Sequence, residues 1–540
     1  MRLFTGTWQI VRLVLRRDRI LLPLFVLGFA AFALGQVVGS MGLYDNRAER
    51  EVYARATSAN PALVAIIGPP FAIERVGGDV AWQIGGLGGT VVGLVSLILV
   101  CRHTRAEEQS GRGELLRSGV LGRCAQPLAV FAVVAAANVL LAGTTALTLL
   151  SSGLRAEGAL TFGASMGAVG ILFAALGVLL AQVAVTSSAV YGLGGVVLGL
   201  SYMLRSVGDL RDASDGDFDD GGVSWISPIG WAQRMQPFAN ERFWPLLLFA
   251  LTSAAFLALA LALASRRDFD AGLVPPRPGR PEASPLLRGT LALAFRLQRG
   301  LTGGWTLGML VGGFAIGSIA QDAGDFVGDS PLARDLLGQT SGPGAVDAYL
   351  AAVLPIMAMV AAFYAIQSVL RMRAEEDAGR LEPVLASPVS RWRWAGAQVL
   401  VTLAGSAFVV AACGLGVGTG HALRTGDAEQ IWRILGAQLA SLPAVLVLAG
   451  VAVLLFGALP RAGYLAWAVL AATLFLSLFG GTLDLPGRVL DLSPFEHVPD
   501  VPAKELRVEP LVWLSACALF MFAGGIDAFR KRNLSSSGSG

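Results

Sequence analysis

Lysine is nearly absent from this chain: Lys504 and Lys531 are two of its 41 basic residues, and the rest are arginines. Neither lysine can belong to a phosphate-binding loop. Such a loop needs Gly-Lys followed by Ser or Thr, so that the ammonium and the backbone amides cradle phosphate. Lys504 follows Ala503 and Lys531 follows Arg530. The chain also has no polar stretch long enough for a nucleotide-binding domain. Charge of either sign is scarce, at 15% of 540 residues, where a soluble protein carries about 25%. Histidine is limited to His103, His421 and His497, and cysteine to Cys101, Cys124, Cys413 and Cys517. Their spacing fits neither a disulfide framework nor a metal motif. No small-residue cleavage site follows the first apolar run, so no cleavable signal peptide is expected.

What the chain has in abundance is apolar surface, with 54% hydrophobic residues and a mean hydropathy of +0.63. Runs of about 20 apolar residues recur, long enough to cross a ~30 Å hydrocarbon core. They are continuous rather than alternating, which argues against a β-barrel. The fold class is therefore an all-α polytopic membrane protein. Spans are expected near residues 20–40, 83–101, 126–150, 160–183, 187–207 and 244–264. They resume near 302–321, 349–370, 395–418, 432–457, 463–481 and 510–527. The total is twelve, as two tandem six-helix halves, residues 1–265 and 286–534. A Pro-rich cytoplasmic linker, 266–285, joins them, and 535–540 reads as a flexible tail or tag remnant. The glycine-rich stretches 83–100 and 187–200 are candidates for broken or re-entrant spans.

Residues 2–19 carry five arginines among Trp8, Ile10, Val11, Leu13 and Leu15, the pattern of an interfacial elbow helix. A second amphipathic piece, 286–299, contains Gly289-Thr290, echoing Gly6-Thr7. With the N-terminus inside, the inner segments hold 26 of 41 basic residues but only 12 of 38 acidic ones. Basic residues favour the cytoplasmic side, so both termini are expected there, with the acidic stretch 209–220 outside. Ser227-Pro228 and Ser493-Pro494 precede the sixth and twelfth spans, another element found once in each half.

The most informative repeat is a charged island. Residues 105–123 read RAEEQSGRGELLRSGVLGR and residues 373–391 read RAEEDAGRLEPVLASPVSR; eight of nineteen positions are identical. Each island follows one apolar run and precedes another, as one membrane unit used twice would place it. Glu108 and Arg112 are four apart, as are Glu376 and Arg380, a favourable helical spacing. Gly111 and Gly379 would bend each helix, and Glu114 and Glu382 follow the bend. The expected form is a helical span end, a glycine bend and a short coupling helix along the membrane surface. The bland alternative is that any cytoplasmic loop is charged and helical; recurrence in register argues against it.

The second island resembles the cytoplasmic loop after the second span of ABC-2-type exporter permeases: a Glu-rich segment, a glycine, a Leu/Glu stretch, then Ser-Pro-Val-Ser-Arg. Glu376, Gly379, Glu382, Ser387, Pro388 and Arg391 fit it. The first copy keeps Glu108, Gly111, Glu114 and Arg123 but has Ser118-Gly119-Val120 in place of Ser-Pro-Val. The fused twelve-span layout is similar to the actinobacterial tetronasin-resistance type, which works in multidrug efflux and antibiotic resistance. The resemblance implies a bacterial plasma (inner) membrane permease moving hydrophobic or amphipathic drugs outward. It implies docking on two copies of a separate ATPase subunit, where ATP and Mg would bind; no cofactor is expected on this chain and no nucleic acid partner. The coupling interface would comprise Arg105, Glu107, Glu108, Gly111, Arg112, Glu114, Arg373, Glu375, Glu376, Gly379, Arg380 and Glu382. The substrate pathway, against membrane lipid, would use Tyr202, Met203, Met357, Phe363, Tyr364 and Trp467, for which ordinary helix packing is the alternative.

Three rivals stay open. An ion-coupled secondary transporter would need carboxylates or histidines inside the spans, and the expected span middles contain almost none. A membrane enzyme could use His497 with Glu496 and Asp500, a cluster that reads more simply as a solvated loop. A mechanotransmission subunit would call for a large outer domain, and none of the outer loops is that long.

Overall fold

The computed structural model describes residues 2–43, 47–58, 64, 67–109, 121–215, 222–266, 289–329, 344–459, 462–479 and 486–533. Among them every regular element is helical, as a bilayer requires: without water, backbone N–H and C=O groups must be satisfied within the segment. Eleven of these helices are long and apolar enough to span a membrane. The chain divides into two compact units, Met1–Gly279 and Arg280–Gly540.

The first unit contains α1 (Thr7–Arg17), α2 (Leu21–Leu43), α3 (Arg47–Ser58), α4 (Val76–His103), α5 (Arg105–Gln109), α6 (Ala125–Ser151), α7 (Ala156–Val183), α8 (Ser187–Asp215), α9 (Pro228–Gln233) and α10 (Pro245–Arg266). The amphipathic N-terminus forms α1, whose start is set by Gly6 at φ 86°, a left-handed conformation that suits glycine. It buries Ile10 and Val14 and leaves Trp8, Leu13 and Leu15 exposed. α7 is the hub, packed along α4, α6 and α10. The glycine-rich stretches expected to break α4 and α8 do not: both helices run through unbroken. Their glycines are spent on close approach instead. A Cβ on Gly93 would strike the Phe173 ring and one on Gly194 would strike Leu97.

The second unit contains α11 (Thr290–Asp329), α12 (Ala345–Asp377), α13 (Leu381–Ala386), α14 (Arg391–Thr425), α15 (Glu429–Ala440), α16 (Leu442–Ala458), α17 (Leu465–Phe479) and α18 (Val508–Lys531). Here the expected elbow and seventh span are one continuous helix, α11. In the first unit the buried Asp18 ends α1; nothing comparable stops the chain near Gly300. The expected eleventh span, 463–481, corresponds to α17, whose 15 residues rise only ~22 Å, short of a bilayer core. Its continuation, 480–485, lies outside the described residues, as do the linker beyond Arg266 and the tail from 534.

α11 and α14 are the most intimate pair. Hydrocarbon tails give no hydrophobic drive for helix association, so close packing of small residues must supply it. Gly313 and Gly317 of α11 face the carbonyls of Cys413 and Val417, and Gly416 and Gly420 of α14 face those of Leu310 and Phe314. A Cβ at Gly317 would lie 2.0 Å from the Val417 oxygen, whereas Gly308 has nothing within 4 Å. Gly317→Val is therefore expected to destabilise the unit by more than ~2 kcal/mol through overpacking, and Gly308→Ala to be neutral or slightly stabilising. Thermal unfolding of the purified variants checks both; equal melting temperatures would show that the backbone contact is unimportant.

Candidate functional site

The first charged island begins where α4 ends. Thr104 leaves helical geometry at φ −119°, ψ −93°, and its hydroxyl donates to the Val100 carbonyl at 2.7 Å. α5 follows, and its charged residues turn inward. Arg105 is fully buried; its Nε donates to the Ala181 carbonyl at 2.7 Å and its Nη1 to Glu108 Oε2 at 2.7 Å. Ala181 lies in the last turn of α7, where carbonyls lack helical partners and attract cations. Glu107 accepts from Arg17 of α1, with His103 Nδ1 at 3.7 Å. His103 Nε2 contacts the buried Asp18 carboxylate, and Arg102 lies 3.5 Å from the same group. Gln109 Oε1 accepts from the Ser187 amide and hydroxyl at 3.1 and 2.7 Å, capping α8. Gly111, Arg112 and Glu114 lie outside the described residues.

The second island has the expected helix–bend–helix form. α12 ends at Asp377, Gly379 takes φ 68°, and α13 follows. The glycine turn also changes the expected pairing. Arg380 does not meet Glu376 four residues back but makes a two-pronged bond with Glu375, at 2.7 and 3.1 Å. That bond holds the Arg380 guanidinium above its usual pKa. Glu376 instead accepts both terminal nitrogens of Arg532, at 2.8 and 2.6 Å. The Arg532 guanidinium lies over the rings of Phe456 and Phe529, 5.0 and 5.1 Å from their centres. Arg391 donates to the carbonyls of Arg530 and Arg532 at 3.1 and 2.6 Å. Arg373 reaches Asp377 at 2.8 Å and Glu376 at 3.4 Å.

Glu107, Glu108, Glu375 and Glu376 are thus each 5–8% exposed, anchors rather than contact surface. Among the described residues of the two islands, the outward-facing ones include Arg380, Glu382, Pro383, Ser387 and Pro388. Sequence reasoning missed Asp18, His103, Gln109 and Arg532 as partners. One signal was available: Asp18 is the only acidic residue in the first 44.

Of the pathway candidates, Met357, Phe363, Tyr364 and Trp467 share the core of the second unit, and Tyr202 and Met203 lie on α8 of the first. Tyr202 sits under the Arg205 guanidinium at 4.4 Å, and Met203 is 52% exposed on the same helix. In the second unit Tyr364 is a core residue, fully buried, its hydroxyl 2.9 Å from Thr302 Oγ1. Phe363 and Trp467 pack tilted at 5.7 Å, and Met357 lies against the same core. The acidic stretch 209–220 is also placed differently in part. α8 extends through Asp209 and Asp212, which are buried and bound by Arg205 and Arg234. Asp79, outside the span expected at 83–101, falls within α4. It is buried and accepts from Ser40 at 2.7 Å, Gln83 at 2.9 Å and Tyr53 at 3.3 Å. His497 faces the Ser493 carbonyl and Asp500 pairs with Lys504; among the described residues no three His, Cys, Asp or Glu side chains converge as a metal site.

A chain whose described regular elements are all helical, eleven of them long and apolar enough to cross a membrane, belongs to the class of polytopic helical membrane proteins. Its relatives give the particular family. A profile described as "Multidrug efflux system permease Rv1217c, C-terminal domain" matches residues 287–530. The multidrug efflux system permease protein Rv1217c of Mycobacterium tuberculosis (strain ATCC 25618 / H37Rv) is 35% identical over 534 residues, 98% of this chain and 96% of the relative. This chain belongs to the Rv1217c family of multidrug efflux permeases.

The Arg532–Glu376 contact is testable by thermal unfolding of Arg532→Ala, Glu376→Gln and the double variant. Each single change should lower the melting temperature, because it leaves a buried charge or its partner uncompensated. The double change should lose less than the sum, a coupling of about 1–3 kcal/mol. Strictly additive losses would mean that the pair is idle.

Proposed function

We propose that this chain is the permease of an ATP-driven ABC exporter, carrying hydrophobic or amphipathic drugs outward while a separate ATPase hydrolyses ATP. The carrying observation is the construction of the second island. Glu375 and Glu376 are anchored inward, while Glu382 and Pro383 of α13 and Ser387 and Pro388 just beyond it face outward. A short helix tied to α12 at one end and α14 at the other moves both when pushed. The relative Rv1217c, a multidrug efflux system permease protein by name, supports drugs as cargo.

The full proposal has twelve spans in two tandem six-span halves, with α17 contributing the eleventh. Both termini lie in the cytoplasm of a bacterial cell, supported by the excess of arginine in the inner segments. Two ATPase subunits, holding ATP and Mg, dock on the two islands; this chain binds membrane lipid and its cargo and contacts no nucleic acid.

Glu382→Lys should leave the melting temperature nearly unchanged, as exposed substitutions do, and should reduce drug-stimulated ATP hydrolysis of the reconstituted complex several-fold. Native mass spectrometry should find one permease with two ATPase subunits. Wild-type coupling in the variant, or drug efflux by the permease alone, would sink the reading.

One observation favours a second reading, an ion-coupled secondary transporter. Asp79 is the kind of buried carboxylate such a protein protonates. Its bonds from Ser40, Tyr53 and Gln83 instead make it a structural tie between α2, α3 and α4. Asp79→Asn should therefore leave the pH dependence of efflux unchanged; loss of proton-gradient-driven efflux in that variant would favour the rival.

A further inference from the structure

Arg371 stands apart from the paired charges of the second island. It lies six residues before the end of α12, within the stretch long and apolar enough to span a membrane. Among the described residues it forms no hydrogen bond or ion pair. Its Nε is buried without an acceptor, while the residue as a whole stays partly exposed, so the opening is at the guanidinium tip. The acids beside it are taken. Glu375 gives both oxygens to Arg380, and Glu376 gives both to Arg532. Nor do the neighbouring spans offer another: α11, α12 and α14 have no acid in residues 290–321, 348–374 and 391–425.

Two further cations share its level. Ser368 of α12 bonds Gln298 of α11, and Arg296, Arg299 and Arg371 all fall within ~5 Å of that contact along the helix axes, at 1.5 Å per residue. Arg296 and Arg299 are exposed, among exposed Leu291, Leu293 and Phe295. Arginine mixed with exposed leucine and aromatic side chains marks the depth at which hydrocarbon gives way to headgroups. The matching corner of the first unit is neutralised. His103, which stands two residues before Arg105 as Arg371 does before Arg373, contacts the buried Asp18, and Arg102 lies 3.5 Å from the same carboxylate. Counted from Gly6-Thr7 and from Gly289-Thr290, the place of Asp18 is held by Leu301. The second unit keeps the cation and lacks the anion.

A guanidinium partly withdrawn from water and left without a counter-charge is unfavourable, so this one calls for an anion from outside the chain. We propose that the α11–α12 corner binds the phosphodiester headgroup of an anionic phospholipid from the leaflet on the island side. Arg371 bonds the phosphate oxygens through its terminal nitrogens, and Arg296 and Arg299 add attraction at the rim. Guanidinium matches phosphate with two parallel hydrogen bonds, and basic recesses at the ends of membrane helices attract such lipids. A lipid fits better than a dissolved anion because the exposed leucine and phenylalanine side chains beside the arginines give its acyl chains a surface. From Arg371, α12 runs on into Glu375, Glu376 and the bend at Gly379, so a lipid held here steadies the second island. The site does not depend on what the permease carries.

The test uses delipidated full-length permease in detergent, to which phosphatidylglycerol, phosphatidylcholine with the same acyl chains, or sodium phosphate is added. By native mass spectrometry the first phosphatidylglycerol should be held about tenfold more tightly than the first phosphatidylcholine. Arg371→Gln should remove most of that preference, and Arg296→Gln combined with Arg299→Gln should weaken it about two- to threefold. Arg507→Gln, an exposed change of the same charge elsewhere in the unit, should leave it intact. Thermal unfolding supplies a readout that a purely structural role would move the other way. Without lipid, Arg371→Gln should melt no lower than the wild type, because it removes an uncompensated charge. With phosphatidylglycerol the wild type should gain several degrees and the variant little. Equal retention of the two lipids by the wild type, or a preference that survives Arg371→Gln, would overturn the proposal. An Arg371→Gln protein that melts well below the wild type without lipid, or does not fold, would show that the chain itself already holds this side chain and would overturn it too. Stabilisation by sodium phosphate equal to that by phosphatidylglycerol would assign the site to a dissolved anion and refute the lipid.

Discussion

A carboxylate buried in a low dielectric needs compensating partners, and in the two charged islands a cation supplies them. That constraint organises both charged islands. Glu107 is met by Arg17, Glu108 by Arg105, Glu375 by Arg380 and Glu376 by Arg532. Two of these cations come from segments far away along the chain. Removing one member of a buried pair such as Arg105–Glu108 typically costs about 3–5 kcal/mol, because the other stays desolvated; the exposed Arg380 contributes less. Consequently the first island cannot move independently of α1, nor the second independently of the end of α18. A force applied to α13 is delivered to α12 and α14 through the backbone, and to α18 through Glu376 and Arg532.

Between the ends, the helices are held by shape rather than by charge. Glycine and alanine rows let α11 and α14, and α6 and α7, come within backbone contact, where many weak dispersion contacts add up. The polar groups buried in this part of the second unit are mostly neutral and bonded to each other. Gln298 bonds Gln398, Ser368 bonds Gln298 and Thr402, and Thr302 bonds Tyr364. The same small-residue surface explains a groove on the first unit, between α6, α7 and α10. Where a partner helix covers the row, the contact is tight; where α10 leans away from α6, the uncovered part of α7 becomes a cavity floor.

The helices themselves were legible in the residues, because a ~20-residue apolar run in a bilayer has one way to satisfy its backbone. The glycine bend at Gly379 was legible for a similar local reason, and the repeated Ser-Pro elements prove to be helix caps. Ser227 and Ser493 accept from the amides of Gly230 and Phe495, and Pro228 and Pro494 sit where a helix start needs no N–H. The direction in which charged residues point was not legible. Four-residue spacing suggested Glu376 with Arg380, but a left-handed turn at Gly379 rotates Arg380 onto Glu375 and frees Glu376 for Arg532. Nor did composition reveal that Asp209 and Asp212 are buried: Arg205 is a neighbour of Asp209 one turn away on α8, but Arg234 is brought in by tertiary packing.

By itself, then, the sequence determined that this chain is helical and membrane-spanning, that it carries one charged motif twice, and that neither of its lysines sits in a phosphate-binding loop. Those properties follow from local backbone chemistry, apolar run length and repeated residues, none of which needs a neighbour in space. Tertiary structure alone decided which acids anchor and which face outward, that α11 runs unbroken, and that part of α7 is left uncovered between α6 and α10. Each of these depends on how far apart two helices pack, a distance set by side chains remote from one another along the chain.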